Sequence, residues 1–338
     1  MPIRSSWSAL FRPPAGKTSL ARAVEWIRTH RAPGGGVVPH HKHVIGSQEV
    51  TGYLIPTLWD IGERDMALEM ARWEASVQRP DGAFTAPDGT PYTFDTAQAV
   101  RGFLSLVDVH PEFEVNIRRA CGFILTQIEP DGRVSTPSYA LWRCADGSTF
   151  TEYANLYVVP PLLAAGTRLG EPAYSEAASH VLAFYKRRAD LVEFKPELGT
   201  LSHIFGYMME ALVDLGEIEL ARRGLAQAAA IQSPDGAIPA YPGVKWICST
   251  GMAQLAIAWY KLGDRAPADR AVAYLEPLQL ANGGFYGSYG PGATYLPGEE
   301  ISWAVKFFID CCTLRAKQSK PGSMQRGADE ESCRLRGR

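Results

Sequence analysis

The sequence predicts an all-α chain of twelve antiparallel helices, and three observations carry that expectation. One turn motif recurs four times, the apolar residues between turns repeat at helical spacing, and extended stretches are few. The motif copies read Gln78-Arg-Pro-Asp81-Gly82-Ala-Phe84, Gln127-Ile-Glu-Pro-Asp131-Gly132, Gln232-Ser-Pro-Asp235-Gly236-Ala-Ile238 and Gln279-Leu-Ala-Asn282-Gly283-Gly284-Phe285. Pro presets φ, Asp or Asn bonds back to the backbone, and Gly accepts a positive φ, so each copy closes a helix.

In order, the helical segments are Leu20–Ile27, then Val50–Leu58 and Met66–Val77, joined by Ile61-Gly62-Glu63-Arg64. Thr96–Val107 and Phe113–Leu125 turn around His110-Pro111, and Tyr153–Leu169 and Ala173–Tyr185 turn at Gly170-Glu171-Pro172. Leu201–Leu215 and Ile218–Ile231 turn at Gly216, and Met252–Leu262 and Ala266–Leu278 at Gly263-Asp264, before a last helix at Ile301–Leu314. Short Gly-containing turns imply antiparallel neighbours, giving six hairpins if the first and last helices close a ring. Gly34–Pro39 and Tyr286–Tyr295 read as loops or tiny hairpins.

Composition bounds the function. The 338 residues carry 34 Lys+Arg against 36 Asp+Glu, a net charge of −2, with 46% hydrophobic, 21% charged and 10% aromatic residues. That balance excludes disorder as the main state and offers no global field for nucleic acid or an acidic membrane. No apolar run reaches the ~18 residues of a membrane span. The start, MPIRSSWSALFRPPAGKTS, lacks an apolar core of signal-peptide length, so a cytoplasmic location is expected. Cys121, Cys144, Cys248, Cys311, Cys312 and Cys333 form no CxxC pair and read as free, mostly buried thiols. The expected layout is an N-terminal arm (1–18), one helical domain (19–316) and a disordered tail (317–338).

Twelve alternating helices with Q-x-x-D/N-G turns resemble the α/α toroid, the (α/α)6 barrel shared by terpenoid cyclases, protein prenyltransferase β subunits and six-hairpin polysaccharide-active enzymes. The resemblance covers roughly Ser19 to Leu314. It implies that every second helix lines the centre and its partner covers the outside. The long, chemically rich loops precede the helices starting near Glu49, Asp95, Glu152, Ser202, Ser249 and Glu299, which makes that end the expected mouth.

Those six starts are polar and aromatic. The expected acid/base set is Asp95, Glu152, Glu299 and His203, assisted by Tyr295 and Tyr53. Glu49, Tyr92, Tyr153, Tyr207 and Glu300 are further candidate substrate contacts, with Trp246 and Trp303 stacking a substrate. Gln98 and Gln254 would orient it, and Lys245 or Lys306 would meet a carboxylate. Each residue has a plain alternative: acids favour helix N-caps and first turns, and aromatic residues at helical spacing pack. It is their convergence that indicates a polar cavity. His40-His41-Lys42-His43 lacks the register of a helical metal site and reads as a rim loop, so neither metal nor cofactor is expected.

A cavity of carboxylates, Tyr and Trp suits a glycan, since aromatic faces stack on pyranose rings while carboxylates and amides hold hydroxyls. Paired carboxylates could run glycoside hydrolysis; Tyr with His or Lys could abstract a proton beside a uronate carboxylate, the chemistry of toroid lyases and glucuronyl C5-epimerases. Trp246-Ile-Cys-Ser-Thr-Gly-Met-Ala-Gln254 resembles the W-x-S-x-M-A-Q stretch of the epimerases' helical domain with a different spacing. Epimerase or lyase chemistry therefore leads. The alternatives are isoprenoid cyclisation, for which Tyr92-Thr-Phe-Asp95-Thr-Ala-Gln98 keeps a single Asp of a D-x-D-D motif, and a non-catalytic glycan-binding module. Oligomeric state is left open.

Overall fold

A computed structural model describes residues 18–136 and 152–319 of the chain. All twelve expected helices are there: α1 (Ser19–Thr29), α2 (Gln48–Asp60), α3 (Arg64–Val77), α4 (Thr93–Leu104), α5 (Glu114–Thr126) and α6 (Val159–Leu169). They continue as α7 (Pro172–Lys186), α8 (Ser202–Asp214), α9 (Ile218–Ile231), α10 (Ser249–Lys261), α11 (Arg265–Leu275) and α12 (Ser302–Gln318). The last helix runs two residues past the expected domain end at 316, to Gln318. Two segments differ in kind over part of their length: the one expected as Ala266–Leu278 is α-helical to Leu275 and ends in a 310 turn, Glu276–Leu278. The segment expected as Tyr153–Leu169 opens with a 310 stretch, Glu152–Val158, and becomes α-helical at Val159. Pro160 and Pro161 lack N–H groups for the carbonyls four residues back, so the preceding turn tightens instead of continuing the α-helix.

Burial separates two rings. In α8 every residue from Ser202 to Leu212 is buried, and in α10 every residue from Ser249 to Tyr260. Helices covered all round must lie inside. Outer helices bury a single stripe, as in α3 with Met66, Ala67, Met70, Ala71 and Glu74, or α9 with Ala221, Gly224, Leu225 and Ala228. The inner elements α2, α4, α6 with its 310 stretch, α8, α10 and α12 follow one another around the centre, and α12 packs on both α2 and α1 to close the circle. Glycine lets neighbouring inner helices approach closely. A Cβ on Gly52 would lie 2.7 Å from the Ala99 backbone nitrogen, and one on Gly206 only 2.6 Å from Gln254 Cβ.

The repeated turn staples the outer ring together. Gln78 donates from Nε2 to Gly82 O at 3.1 Å and to Asn116 O at 3.0 Å, joining the end of α3 to the start of α5. Gln232 does the same to Gly236 O at 3.2 Å and Pro267 O at 3.0 Å, joining α9 to α11. Gln279 reaches Gly283 O at 3.1 Å and Ser19 O at 2.9 Å, joining α11 to α1 and so the end of the ring to its beginning. Arg22 Nη2 adds a 2.6 Å bond to Gln279 Oε1. The second copy holds one residue more before its Asp, and Gln127 Nε2 turns to Thr126 Oγ1 at 2.9 Å instead. Its Asp131 still accepts from Arg133 N at 3.0 Å, as Asp81 accepts from Ala83 N at 3.1 Å and Asn282 from Gly284 N at 3.0 Å.

The only strands among the described residues are two-residue pairs. β1 (Phe84–Thr85) pairs with β2 (Pro91–Tyr92) before α4, and β3 (Ile247–Cys248) pairs with β4 (Ser288–Tyr289) before α10. The Gly34–Pro39 and Tyr286–Tyr295 stretches join this lacework through single bridges such as Val37–Ser47 and Tyr286–Glu300. Among the described residues, Cys121, Cys248, Cys311 and Cys312 are buried free thiols; Cys144 and Cys333 lie outside them, as do the arm up to residue 17 and the tail from residue 320. No described helix is long and apolar enough to cross a membrane.

The staple makes a stability prediction. Gly82 (φ 92°) and Gly62 (φ 90°) share a backbone conformation, but a Cβ on Gly82 would collide with the Arg119 carbonyl of α5, whereas Gly62 faces open space. Gly82→Ala should cost at least ~2 kcal/mol in urea denaturation and Gly62→Ala about 1 kcal/mol. Equal losses would show that the turn does not pack on the next helix.

Candidate active site at the N-terminal ends of the inner helices

The inner helices run parallel, so their first turns gather at one end of the ring. The helices α4, α8, α10 and α12 start there without a side-chain cap, leaving first-turn N–H groups and positive dipole ends uncompensated by a capping side chain. Ser47 caps α2, accepting from Val50 N at 3.3 Å, which frees Glu49 at the second helical position from that duty. Asp95, third in α4, is not a cap either, since the cap position belongs to Tyr92.

Glu49 is the focus. It is half-buried, and crowding by neighbours pushes its carboxyl up to about 7, partly offset by the Tyr53 and Tyr207 hydroxyls that face it. Both hydroxyls are buried and neither has a well-formed hydrogen-bond partner. Burial also raises Asp95 well above the ordinary carboxylate range, and the nearby Glu49 charge raises it further.

His203 stands against Tyr207, the ring whose hydroxyl faces Glu49. Its Nδ1 lies 2.5 Å from Gln254 Oε1, and because an amide oxygen only accepts, the ring proton sits on Nδ1 and leaves Nε2 a lone pair. Burial lowers its pKa to about 4, so the imidazole is neutral across the physiological range. The His203 ring lies 4.5 Å from that of Tyr207 and 5.9 Å from that of Tyr295. Tyr295 is held from the other side, where Trp303 Nε1 donates to its hydroxyl at 3.1 Å. The next residue, Leu296, has φ 47°, and is the sole non-glycine with positive φ among the described residues. Strain of that kind persists where the surroundings over-determine a position, here the loop that delivers Tyr295.

Not every expected residue joins the cluster. Glu300 accepts from Trp26 Nε1 at 2.6 Å and from Asn282 Nδ2 at 2.9 Å, bracing α1 and the last turn. Glu299 sits at the rim, 3.2 Å from Lys42 Nζ and 3.3 Å from His40 Nδ1. His41 Nδ1 accepts from Glu300 N at 2.9 Å, so the histidine loop straps α12 to α2, and no described group of three His, Cys, Asp or Glu could hold a metal ion. The Tyr153 hydroxyl is tied to Asp190 and, at 2.6 Å, to Arg188. Gln98 donates to Phe94 O at 3.1 Å within α4, and Tyr92 is buried in β2. Trp246 is buried against Tyr241, whereas Lys245 beside it is exposed and has no ion-pair partner among the described residues. Lys306 approaches the cluster from below, 4.9 Å over the Tyr53 ring, with its ammonium 2.8 Å from Asp310. The side chain of Glu152 lies outside the described residues.

Sequence reasoning missed Glu74. This fully buried residue of the outer helix α3 carries two carboxyl oxygens without partners, and burial, with the Asp95 charge behind it, raises its pKa strongly. Its signal was available: Glu74 falls on the same helical stripe as Met66, Ala67, Met70 and Ala71. A line of three coupled carboxyls thus runs from Glu49 through Asp95 into the wall.

No family model matches the sequence, and no curated protein is similar to it in sequence. Solved structures do share the fold. An α-amylase from Clostridium perfringens has a TM-score of 0.66 at 13% identity, covering 89% of this chain and 99% of its own. An unsaturated glucuronyl hydrolase specific for heparin has a TM-score of 0.65 at 13% identity, covering 89% and 95%. A type II terpene cyclase from Scytonema has a TM-score of 0.59 at 14% identity, covering 88% and 96%. The chain is an α/α toroid with (α/α)6 architecture.

The Glu74 carboxyl predicts a pH-dependent gain. It keeps its proton in the folded chain but ionises near 4.5 when unfolded, so its stabilising share is complete below 4.5 and is lost as pH rises above that. Glu74→Gln removes this titration. The Tm of the variant relative to the natural chain should climb steadily between pH 5 and pH 8; a constant offset would place an ionised Glu74 in the folded wall.

Proposed function

We propose that the chain is a carbohydrate-active enzyme that works on a uronate-containing glycan by proton transfer, as an epimerase or lyase rather than a hydrolase. One observation carries this reading: a half-open carboxyl poised near neutrality at the ring centre, faced by two tyrosine hydroxyls and beside a neutral histidine. A general base is most effective when its pKa lies near the working pH, and Glu49 meets that condition. The carbon next to a uronate carboxylate gives up its proton to Glu49, while Asp95 retains its own proton because burial, and then the Glu49 charge, oppose its ionisation. In elimination the departing oxygen takes a proton from a tyrosine, Tyr53 or Tyr207; in epimerisation the Tyr295 hydroxyl delivers a proton to the other face. Lys245 meets the uronate carboxylate at the mouth, and Trp303 stacks on a sugar ring. Several fold neighbours act on glycans, including a polysaccharide lyase and a heparin-specific unsaturated glucuronyl hydrolase, which supports the substrate class.

A second reading, isoprenoid cyclisation, is favoured by the aromatic walls. Phe94 and Tyr157 ring centroids lie 5.1 and 4.6 Å from that of Tyr207, surfaces that suit a carbocation, and a terpene cyclase shares the fold. The protonating acid of that chemistry would then be Asp95.

Incubation with glucuronate-containing oligosaccharides in D2O separates the readings. Epimerisation should place deuterium at the carbon beside the carboxylate, elimination should give an unsaturated product instead, and Glu49→Gln should slow either by ~10²–10⁴-fold. Turnover of a prenyl substrate with neither exchange nor an unsaturated glycan would overturn the proposal in favour of the second reading, and saturable glycan binding with neither would make the chain a binding module.

A further inference from the structure

The opposite end of the ring holds a second polar chamber. It is a cavity of about 220 Å³ at the C-terminal halves of the inner helices, distinct from the Glu49 cluster and divided from it by Tyr53 and Lys306. Drug-sized ligands occupy roughly 300–1,000 Å³, so the space suits a smaller molecule. Four cations line it: Lys317 is exposed and pairs with Asp60 at 3.3 Å, and the other three are more buried. Lys306, nearly fully buried, binds Asp310 at 2.8 Å; Lys261 binds Asp214 at 2.6 Å; Arg101 stacks 4.3 Å over the Tyr157 ring. Each keeps donors to spare: an ammonium has three N–H bonds and a guanidinium five, and every contact given for Arg101 to an oxygen is 3.4 Å or longer. At the deep end lies Glu210, only 3% exposed, with Oε1 lacking any partner.

Spare donors at three cations call for a ligand rich in anionic and hydroxyl oxygens. The unpartnered, buried Oε1 calls for at least one hydroxyl on the same molecule, because a buried polar atom left unsatisfied costs ~1–3 kcal/mol. A simple anion leaves Glu210 unanswered, and a neutral sugar leaves the cations unanswered. We infer that this cavity is a second binding site, unconnected with the Glu49 chemistry, for a small hydroxy-carboxylate of about monosaccharide size, its carboxylate on Arg101 and Lys261 and a hydroxyl on Glu210. Burial holds the Glu210 carboxyl up at about 7 with Lys261 and Lys306 drawing it back, the state of a group that accepts or donates a hydrogen bond according to its ligand.

Titration calorimetry on the full chain tests this with glucuronate, glucose and inorganic phosphate as probes. Glucuronate should bind saturably, and glucose and phosphate at least ~10-fold more weakly. Lys261→Met and Arg101→Met should each weaken glucuronate binding ~10-fold or more, and Glu210→Gln several-fold, whereas Glu49→Gln should leave it within twofold. Lys261 is more exposed than Arg101, so if Arg101→Met fails to fold, Lys261→Met still decides. Equal affinity for glucose, phosphate binding as tight as glucuronate, no binding at all, or loss in Glu49→Gln with retention in Lys261→Met would each overturn the site. The last of these would place glucuronate among the Glu49 groups, and the others leave the chemistry proposed there to the D2O experiment.

Discussion

The fold depends on a side-chain amide. In three of the four turn copies, glutamine joins the turn that ends one outer helix to the first turn of the next, and the last of these, Gln279 to Ser19 O, brings the two ends of the ring together. Each amide donates both to the carbonyl of its own turn and to a first-turn carbonyl of the next outer helix, so the two are held at hydrogen-bond distance. The glycine that follows lets the turn lie flat on its neighbour. Repeated around the circle, one small device sets the spacing of the outer helices, and the outer helices set that of the inner ones.

Closure has a chemical consequence. Parallel inner helices bring six N-termini together, and a closed ring shields what stands among them from water. Desolvation there pushes carboxyls up and imidazole down: Glu49 to about 7, His203 to about 4. Neither group needs a strong ion pair to reach these values. Asp95 and Glu74 extend the same effect into the wall, where neutral carboxyls are tolerated because ionised ones would be costly. The ring thus tunes its site through geometry.

Much of this was legible in the sequence. Four Gln…Asp/Asn-Gly turns and helical spacing specify twelve helices; α4 begins and ends three residues earlier than expected, and 310 stretches replace α-helix before Pro160-Pro161 and at Glu276–Leu278. The residues brought together, Glu49, Tyr53, Asp95, His203, Tyr207, Gln254 and Tyr295, all lie in the first two turns of inner helices or in the loop before one, as a reading by helix starts finds. That reading ranked Glu49 as a substrate contact, since burial, which gives it acid/base character, leaves no local mark. It also gathered Glu300, Gln98 and Tyr153, whose side chains reach structural partners instead; sequence position places a residue at the right end of a helix but does not say which way it points. Glu210, Arg101 and Asp310 lie beyond the second turn of their helices, where a reading by helix starts does not reach. A charge within an otherwise apolar inner helix, as in Ile-Phe-Gly-Tyr-Met-Met-Glu210, was the available cue.

Burial holds a carboxyl at the ring centre near neutrality, with two tyrosine hydroxyls drawing it part of the way back. Carbon-13 NMR of glutamate-labelled protein measures it directly, with the Glu49 resonance assigned by its loss in Glu49→Gln. The account predicts a midpoint of about 7 for Glu49, moving higher in Tyr207→Phe, where a hydroxyl that stabilises the anion is gone. A midpoint near the ordinary 4.5, unmoved by that substitution, would contradict it.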